Sequence, residues 1–258
     1  MKLAEEAGLT ALALTDHDTT DGLKRFFAAG KASSVETLPG IELSAEYGAV
    51  TLHILGYGFD PENVVLQEAL TWVREGRSER NIQILEKLNT LGYNLTMADI
   101  RKHSADDLLG RPHFAAALIE KGHFKHKNKV FKQLLGRNCA AYVDRRRLTP
   151  GKCLQVIRAA GGVPVIAHPG QMRLTRNKLR RLIKKLKEQG LGGVEVWHSS
   201  HPEHQMQAFE RICEEFDLMA TGGSDFHGTF TPDLSLGTGF GNLHISDSLV
   251  SELNERCQ

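Results

Sequence analysis

The sequence predicts an α/β fold, and three observations point to it. Short apolar runs of strand length recur along the chain, among them 9–14, 163–167 and 218–221. Amphipathic stretches of helical period separate several of them. The histidines cluster where apolar runs stop. With 258 residues, 41% of them hydrophobic, the chain is long enough for one large domain or a domain with a sizeable insertion.

Taken in order, a helix fragment over 3–7 and Gly8 precede the apolar run 9–14, which closes at Thr15-Asp16-His17-Asp18. A continuous apolar run ended by polar residues reads as a buried parallel strand with the acidic cluster at its C-terminal end. Asp18 or Thr19 is placed to cap the next helix, reaching about Ala29. Strands follow over 37–44, carrying Glu42, and 50–57, carrying His53. From Pro61 to about Tyr142 helical periodicity takes over, in stretches 65–91, 96–103 and 111–121, the last with Pro112 in its first turn. The α/β rhythm then resumes. Thr149 starts a helix to Ala160, Gly161-Gly162 breaks it, and the strand 163–167 ends at His168-Pro169-Gly170. A helix (178–189), a strand (193–197), a helix (202–217) and a strand (218–221) lead into Gly222-Gly223-Ser224-Asp225-Phe226-His227, and Ser246 is placed to cap a last helix.

Composition narrows the function classes. Thirty-two Lys+Arg against 31 Asp+Glu leave a net charge of +1, so a strongly polyanion-seeking surface is not the main theme. No run approaches the ~18 apolar residues that span a bilayer, and residues 1–18 lack a signal-peptide pattern. The four cysteines are scattered without a CxxC pair, which argues against a zinc knuckle or disulfide framework and sets a reducing cytoplasm as the expectation. Twelve histidines are many for so neutral a chain, and histidine is the commonest metal ligand.

Position gives those histidines meaning. His17, Glu42, His53, His168, Asp225 and His227 each fall at or near the end of a predicted strand, and in parallel α/β folds those ends converge on one face. So many imidazoles and carboxylates on one face desolvate or repel one another without a cation among them. Imidazole plus carboxylate without thiolate suits manganese, iron or zinc. Taken singly, Asp16-His17-Asp18 reads equally as a capping loop and His168-Pro169-Gly170 as a turn.

Together the segments Thr15-Asp16-His17-Asp18-Thr19, Pro39-Gly40-Ile41-Glu42-Leu43-Ser44, His53-Ile54-Leu55-Gly56, Gly110-Arg111-Pro112-His113-Phe114, Ala167-His168-Pro169-Gly170 and Gly223-Ser224-Asp225-Phe226-His227 resemble the PHP (polymerase and histidinol phosphatase) superfamily of metal-dependent phosphoesterases, in particular its ribonuclease AM and nucleoside 3′,5′-bisphosphate phosphatase group. The resemblance spans essentially the whole chain. It implies a distorted seven-stranded α/β barrel formed by 1–60 and 143–258, with 61–142 as an inserted helical subdomain. It further implies up to three divalent transition metals (Mn, Fe or Zn). Glu42 resembles the carboxylate bridging two metals, His53 and His168 the remaining ligands of one, Asp225 a ligand of the other, and His17 and His227 ligands of a third. Glu42, His168 and Asp225 are thereby the expected catalytic set. Arg111 and His113 resemble the phosphate-holding residues, and a guanidinium fork near a helix start is a good anion site; a solvated helix-start charge is the plainer reading of Arg111. Asp16 and His201 are further substrate-side candidates, with His198 as the exposed alternative to His201.

The family pattern opens on a strand with an H-x-H pair followed by S-D-G, and this chain has neither. The expectation is therefore that the opening strand lies upstream of Met1, leaving the Glu42/His53/His168 set complete. The resemblance implies hydrolysis of 3′,5′-bisphosphate nucleotides, or 5′-to-3′ trimming of short RNA ends, by metal-activated water. The alternatives are a histidinol-phosphatase-like phosphomonoesterase and an inactive PHP fold with a binding role. Lysines between 121 and 132 suit RNA phosphates, whereas the basic face of 173–187 reads as a wet helix surface over an apolar stripe. No membrane association and no obligate protein partner are expected.

Overall fold

The computed structural model describes residues 1–48, 50–104, 109–228 and 231–257. The chain divides into two compact units, one of Met1–Leu70 with Arg147–Gln258 and one of Thr71–Arg146. In order, the elements are α1 (Lys2–Glu6), β1 (Ala11–Leu14), α2 (Leu23–Gly30), β2 (Glu36–Tyr47), β3 (Val50–Tyr57), α3 (Val64–Thr90), α4 (Met97–Arg101), α5 (Arg111–Glu120), α6 (Lys127–Val130), α7 (Pro150–Ala159), β4 (Val163–Ile166), α8 (Arg176–Lys187), β5 (Gly193–His198), α9 (Glu203–Phe216), β6 (Met219–Gly223) and α10 (Ser248–Arg256).

The first unit is built on a six-stranded sheet in the order β1-β2-β3-β4-β5-β6. It is mixed. β1 pairs parallel with β2, and β4, β5 and β6 are parallel to one another, while β3 runs antiparallel to both its neighbours. The antiparallel pair corrects the expectation that Glu42 and His53 stand at strand ends. They are interior to β2 and β3, where Glu42 faces Leu55 and Ser44 faces His53. The two long strands outrun their shorter neighbours. β1 stops at Leu14 opposite Pro39, and β4 stops at Ile166 opposite Ile54. Glu42 and His53 thus lie just past the ends of β1 and β4, level with the residues that follow those strands.

Two local expectations change. Asp18 caps no helix, since α2 begins at Leu23 with Gly22 at its N-cap. Asp18 is instead buried and left-handed (φ 56°), with its carboxylate accepting from Ser44 N–H (2.8 Å) and Ser44 Oγ–H (3.1 Å). The last helix starts at Ser248 with Asp247 at its N-cap, and Ser246 stands one residue further out, its Oγ bonded to Ser248 Oγ (2.8 Å) and accepting from Ser248 N–H (3.3 Å). Thr149 does cap α7, accepting from Lys152 N–H. Helix α7 covers β2, β3 and β4, and Gly56 on β3 permits that approach: a Cβ there would stand 3.0 Å from Ile157 Cγ1 and 3.1 Å from Ile41 Cγ2.

The second unit is helical. Ile84, Leu88, Ile100, Phe114, Leu118 and Leu135 form its buried core. Thr96 begins α4 with a reciprocal cap to Asp99.

Candidate metal centre and family

Glu42 is the hub of the site and is 4% exposed. Three imidazoles close on its carboxylate: His53 Nδ1 at 2.8 Å and His168 Nε2 at 3.0 Å from Oε1, and His17 Nδ1 at 3.3 Å from Oε2. Backbone pairing explains the convergence. Beyond the end of β1, Asp18 N–H donates to Glu42 O (3.0 Å) and Glu42 N–H to Asp16 O (3.1 Å), which seats His17 beside Glu42. Beyond the end of β4, Ala167 N–H donates to His53 O (3.1 Å), which brings His168 alongside His53.

The imidazoles form a continuous row. Ring centroids are 6.3 Å apart from His227 to His17, 5.1 Å from His17 to His53, 5.1 Å from His53 to His168, 5.6 Å from His168 to His198 and 5.1 Å from His198 to His201. Asp225 reaches the row from the end of β6, its Oδ2 3.5 Å from His198 Nε2 and its Oδ1 3.5 Å from His227 Nδ1. His17, Glu42, His53, His168, Asp225 and His227 therefore occupy one continuous cluster in the first unit.

Burial works to raise the Glu42 pKa, but hydrogen bonds from His168 and His53 outweigh it and hold the carboxyl well below the usual range. Burial likewise opposes a proton on His168, yet the bond to Glu42 with the nearby Glu195 and Asp225 raises its pKa. The His198 side chain holds Asp225 low. These donors fit a divalent cation. Nitrogen and carboxylate-oxygen donors of His17, Glu42 and His53 all lie within 4.8 Å of one another, and the buried His168 Nδ1 has no hydrogen-bond partner in the protein.

The other candidates divide by unit. Asp16 is exposed at the head of the His17 loop. His201 is not the open group that its sequence position suggested, and neither is His198: they are 1% and 2% exposed. His201 Nδ1 donates to Val196 O (2.8 Å) while Nε2 accepts from Gly170 N–H (3.1 Å). Gly170 is required for that approach, because a Cβ would stand 2.7 Å from His201 Cδ2. Burial pushes the His201 pKa down to about 4, so the ring is neutral. Arg111 and His113 belong to the second unit. There Arg111 donates to Leu135 O (2.9 Å) with its guanidinium near the Phe131 and Tyr142 rings, and His113 Nδ1 accepts from Gly110 N–H (2.9 Å) at the start of α5.

Sequence reasoning passed over Glu195. Its carboxylate is buried in β5, and Oε2 accepts from His168 N–H at 2.6 Å. Burial raises its pKa to about 7. The signal available was a glutamate between two valines on an otherwise apolar strand, a position that only a bound partner makes tolerable.

The model of the PHP domain family matches residues 1–199, more than half of the chain, and takes in His17, Glu42, His53 and His168 of the cluster. The chain belongs to the PHP domain family. Among its relatives, a 3′,5′-nucleoside bisphosphate phosphatase of Chromobacterium violaceum is 36% identical over 217 residues, covering 84% of this chain and 76% of the relative. A 5′-3′ exoribonuclease of Haemophilus influenzae is 32% identical over 220 residues, 85% of this chain and 80% of the relative. A crystal structure from Bifidobacterium adolescentis, assigned as a metal-dependent phosphoesterase, superposes with a TM-score of 0.83 at 28% identity, covering all of this chain and 89% of that one. This PHP protein is thus a phosphoesterase of the metal-dependent kind. Among its described residues, no helix is long and apolar enough to cross a membrane.

Proposed function

We propose that this PHP protein hydrolyses phosphate esters of nucleotides, releasing phosphate from 3′,5′-bisphosphate nucleotides or trimming short RNA from its 5′ end. The observation that carries the reading is the closure of three imidazoles on one buried, ionised carboxylate, Glu42. Glu42 with His53 and His168 would hold one divalent transition metal, Glu42 with Asp225 a second, and His17 with His227 a third; Mn, Fe and Zn all accept such donors. When bound, such cations supply Lewis-acid stabilisation of phosphoryl charge and lower the pKa of the attacking water.

The chain's own residues do the rest. Glu42 stays ionised across the neutral range and presents both oxygens to the cluster. Glu195, through the His168 amide, and His201, through the Gly170 amide, fix the turn that carries His168; we assign His201 to that role in place of a substrate contact. Arg111 offers a fork of donors for phosphate. His113 stands two residues after Arg111 at the start of α5, its Nδ1 accepting from Gly110 N–H. Asp16 is left as the exposed carboxylate beside the His17 loop, on the substrate side. The residues 61–142 are assigned as the insertion carrying Arg111 and His113.

The test is turnover by the Mn-loaded protein of a 3′,5′-bisphosphate nucleotide, a 5′-monophosphorylated RNA and histidinol phosphate side by side. Turnover of a nucleotide substrate that vanishes in Glu42→Gln supports the proposal. No turnover of either nucleotide substrate overturns it, and turnover of histidinol phosphate alone transfers the assignment to that substrate.

A further inference from the structure

Strand β5 brings two polar side chains against the Glu42 cluster that a regular strand would send to opposite faces. Glu195 and His198 are three residues apart, and side chains alternate along a strand. The pairing with β6 slips between them: Glu195 faces Thr221 and Trp197 faces Gly222, so Val196 is an extra residue. Such a bulge reverses the alternation beyond it. Both side chains accordingly meet His168, Glu195 through the amide and His198 ring to ring.

The His198 ring is fixed in place and in tautomer. It is buried between the His168 and His201 rings. Its Nδ1 accepts from Ser200 N–H at 3.0 Å. A backbone amide only donates, so Nδ1 carries the lone pair and the proton of the neutral ring sits on Nε2. That Nε2 is buried without a hydrogen-bond partner, an arrangement that native proteins rarely keep without a use for it. The acid oxygen in front of it is Asp225 Oδ2, 3.5 Å away. A contraction of about 0.5 Å would make it a normal hydrogen bond. The ring is clamped, whereas the Asp225 side chain is about one-third exposed, so the carboxylate is the partner free to close the gap.

We infer that His198 is a positioning residue for phosphoester hydrolysis, its Nε2–H holding the Asp225 carboxylate in its working orientation. The inference rests on the reading of Asp225 as a site carboxylate. A partner of this kind sets the direction of a carboxylate's oxygens, and its loss typically costs 10- to 100-fold in activity or metal affinity.

Asparagine and glutamine separate the two ends of the ring. His198→Asn can still accept from Ser200 N–H but has no donor at the Nε2 position; His198→Gln places an amide N–H there. With the Mn-loaded protein and a 3′,5′-bisphosphate nucleotide, the expected result is a kcat loss of about 10- to 100-fold in His198→Asn, with KM and melting temperature little changed, and recovery of most of it in His198→Gln. Wild-type kcat in His198→Asn, or equal losses in both variants, overturns the inference. Asp225→Asn distinguishes its failure from that of the site reading. If Asp225→Asn is fully active, the site reading falls. If Asp225→Asn is impaired and His198→Asn adds its whole loss on top, the site stands and the coupling does not. Nitrogen-15 NMR of the wild-type Zn-loaded protein needs neither turnover nor a variant that folds: a proton on His198 Nε2 is expected, and one on Nδ1 alone overturns the inference.

Discussion

Replacing His201 with phenylalanine asks whether this ring holds the fold or touches substrate. The ring is 1% exposed and contacts Phe209 edge-on at 5.1 Å. Phenylalanine keeps the volume but leaves Val196 O and Gly170 N–H without their partner. An unmade buried bond costs about 1–3 kcal/mol, and with one of the two groups only half-buried the expected loss is about 2–4 kcal/mol. For a chain of this size that corresponds to a melting temperature lower by roughly 5–15 °C. The pH dependence gives a second reading. The folded ring has its pKa pushed down to about 4, against ~6.5 in the unfolded chain. Between those values the unfolded chain binds a proton that the folded one refuses, so stability rises with pH from 4 to 6.5 and is lost as pH falls through that window. At 1.36 kcal/mol per pKa unit the loss reaches about 3 kcal/mol. His201→Phe has no such titration, so its deficit against the wild type should be full at pH 7.5 and shrink by about that amount near pH 4. Urea melts at the two pH values, run with KM measurements, are the assay. A variant that melts like the wild type while its KM rises tenfold would refute the structural assignment and return His201 to the substrate.

Glu42→Gln removes the one negative charge on which three imidazoles close, and activity is expected to drop by more than about 100-fold with fewer metal ions per chain, since losing even a ligand's neighbour costs 10- to 100-fold; elemental analysis showing wild-type metal content with wild-type turnover would contradict it. Chelation should abolish hydrolysis and Mn should restore it. Mn at about 100 times its Kd should also stabilise the fold by about 2.7 kcal/mol, and a melting curve indifferent to Mn would count against the donor set. Gly56→Ala forces a methyl against Ile157 and Ile41 and is expected to cost about 1–3 kcal/mol of stability while leaving KM alone. A neutral effect in urea melts would mean that α7 does not press on β3 as described.

The part of the site legible in the sequence is the part whose geometry follows from strand succession. His17, His168 and Asp225 come just after apolar runs, and each is found just after a strand. Glu42 and His53 were legible as site residues but not in their setting. Apolar alternation gives no direction to a strand, and the β2–β3 pair turns out antiparallel and longer than its neighbours. Glu195 was passed over, and His198 was read only as an exposed alternative to His201, because a two-residue period assumes an unbroken strand, whereas the slip at Val196 changes which side chains share a face. His201 looked available because its two partners are backbone groups that carry no sequence signal: Val196 O is five residues earlier and Gly170 N–H 31 residues earlier.

Three residues in or beside the cluster stand where the backbone favours glycine. Asp18 and Asp225 have φ near 56° and His168 has φ 27°, each at a cost on the order of 1–3 kcal/mol that persists only where surroundings over-determine the conformation. They do so in each case. Asp18 is tied by its carboxylate to Ser44 and by its amide to Glu42 O. The His168 amide is tied to Glu195. Around Asp225, Ser199 Oγ–H donates to Ser224 O and His227 Nδ1 lies 2.8 Å from Asp225 O. Glycine would relieve each strain and delete a side chain that the cluster uses: the clamp on β2 beside Glu42, an imidazole on Oε1, or the carboxylate facing His198. The left-handed turn is what allows the chain to leave a strand and still aim the next polar side chain back over the sheet. The strain is therefore a consequence of placing the functional groups immediately beyond the strands, and the buried polar bonds that hold it belong to the site as much as to the fold.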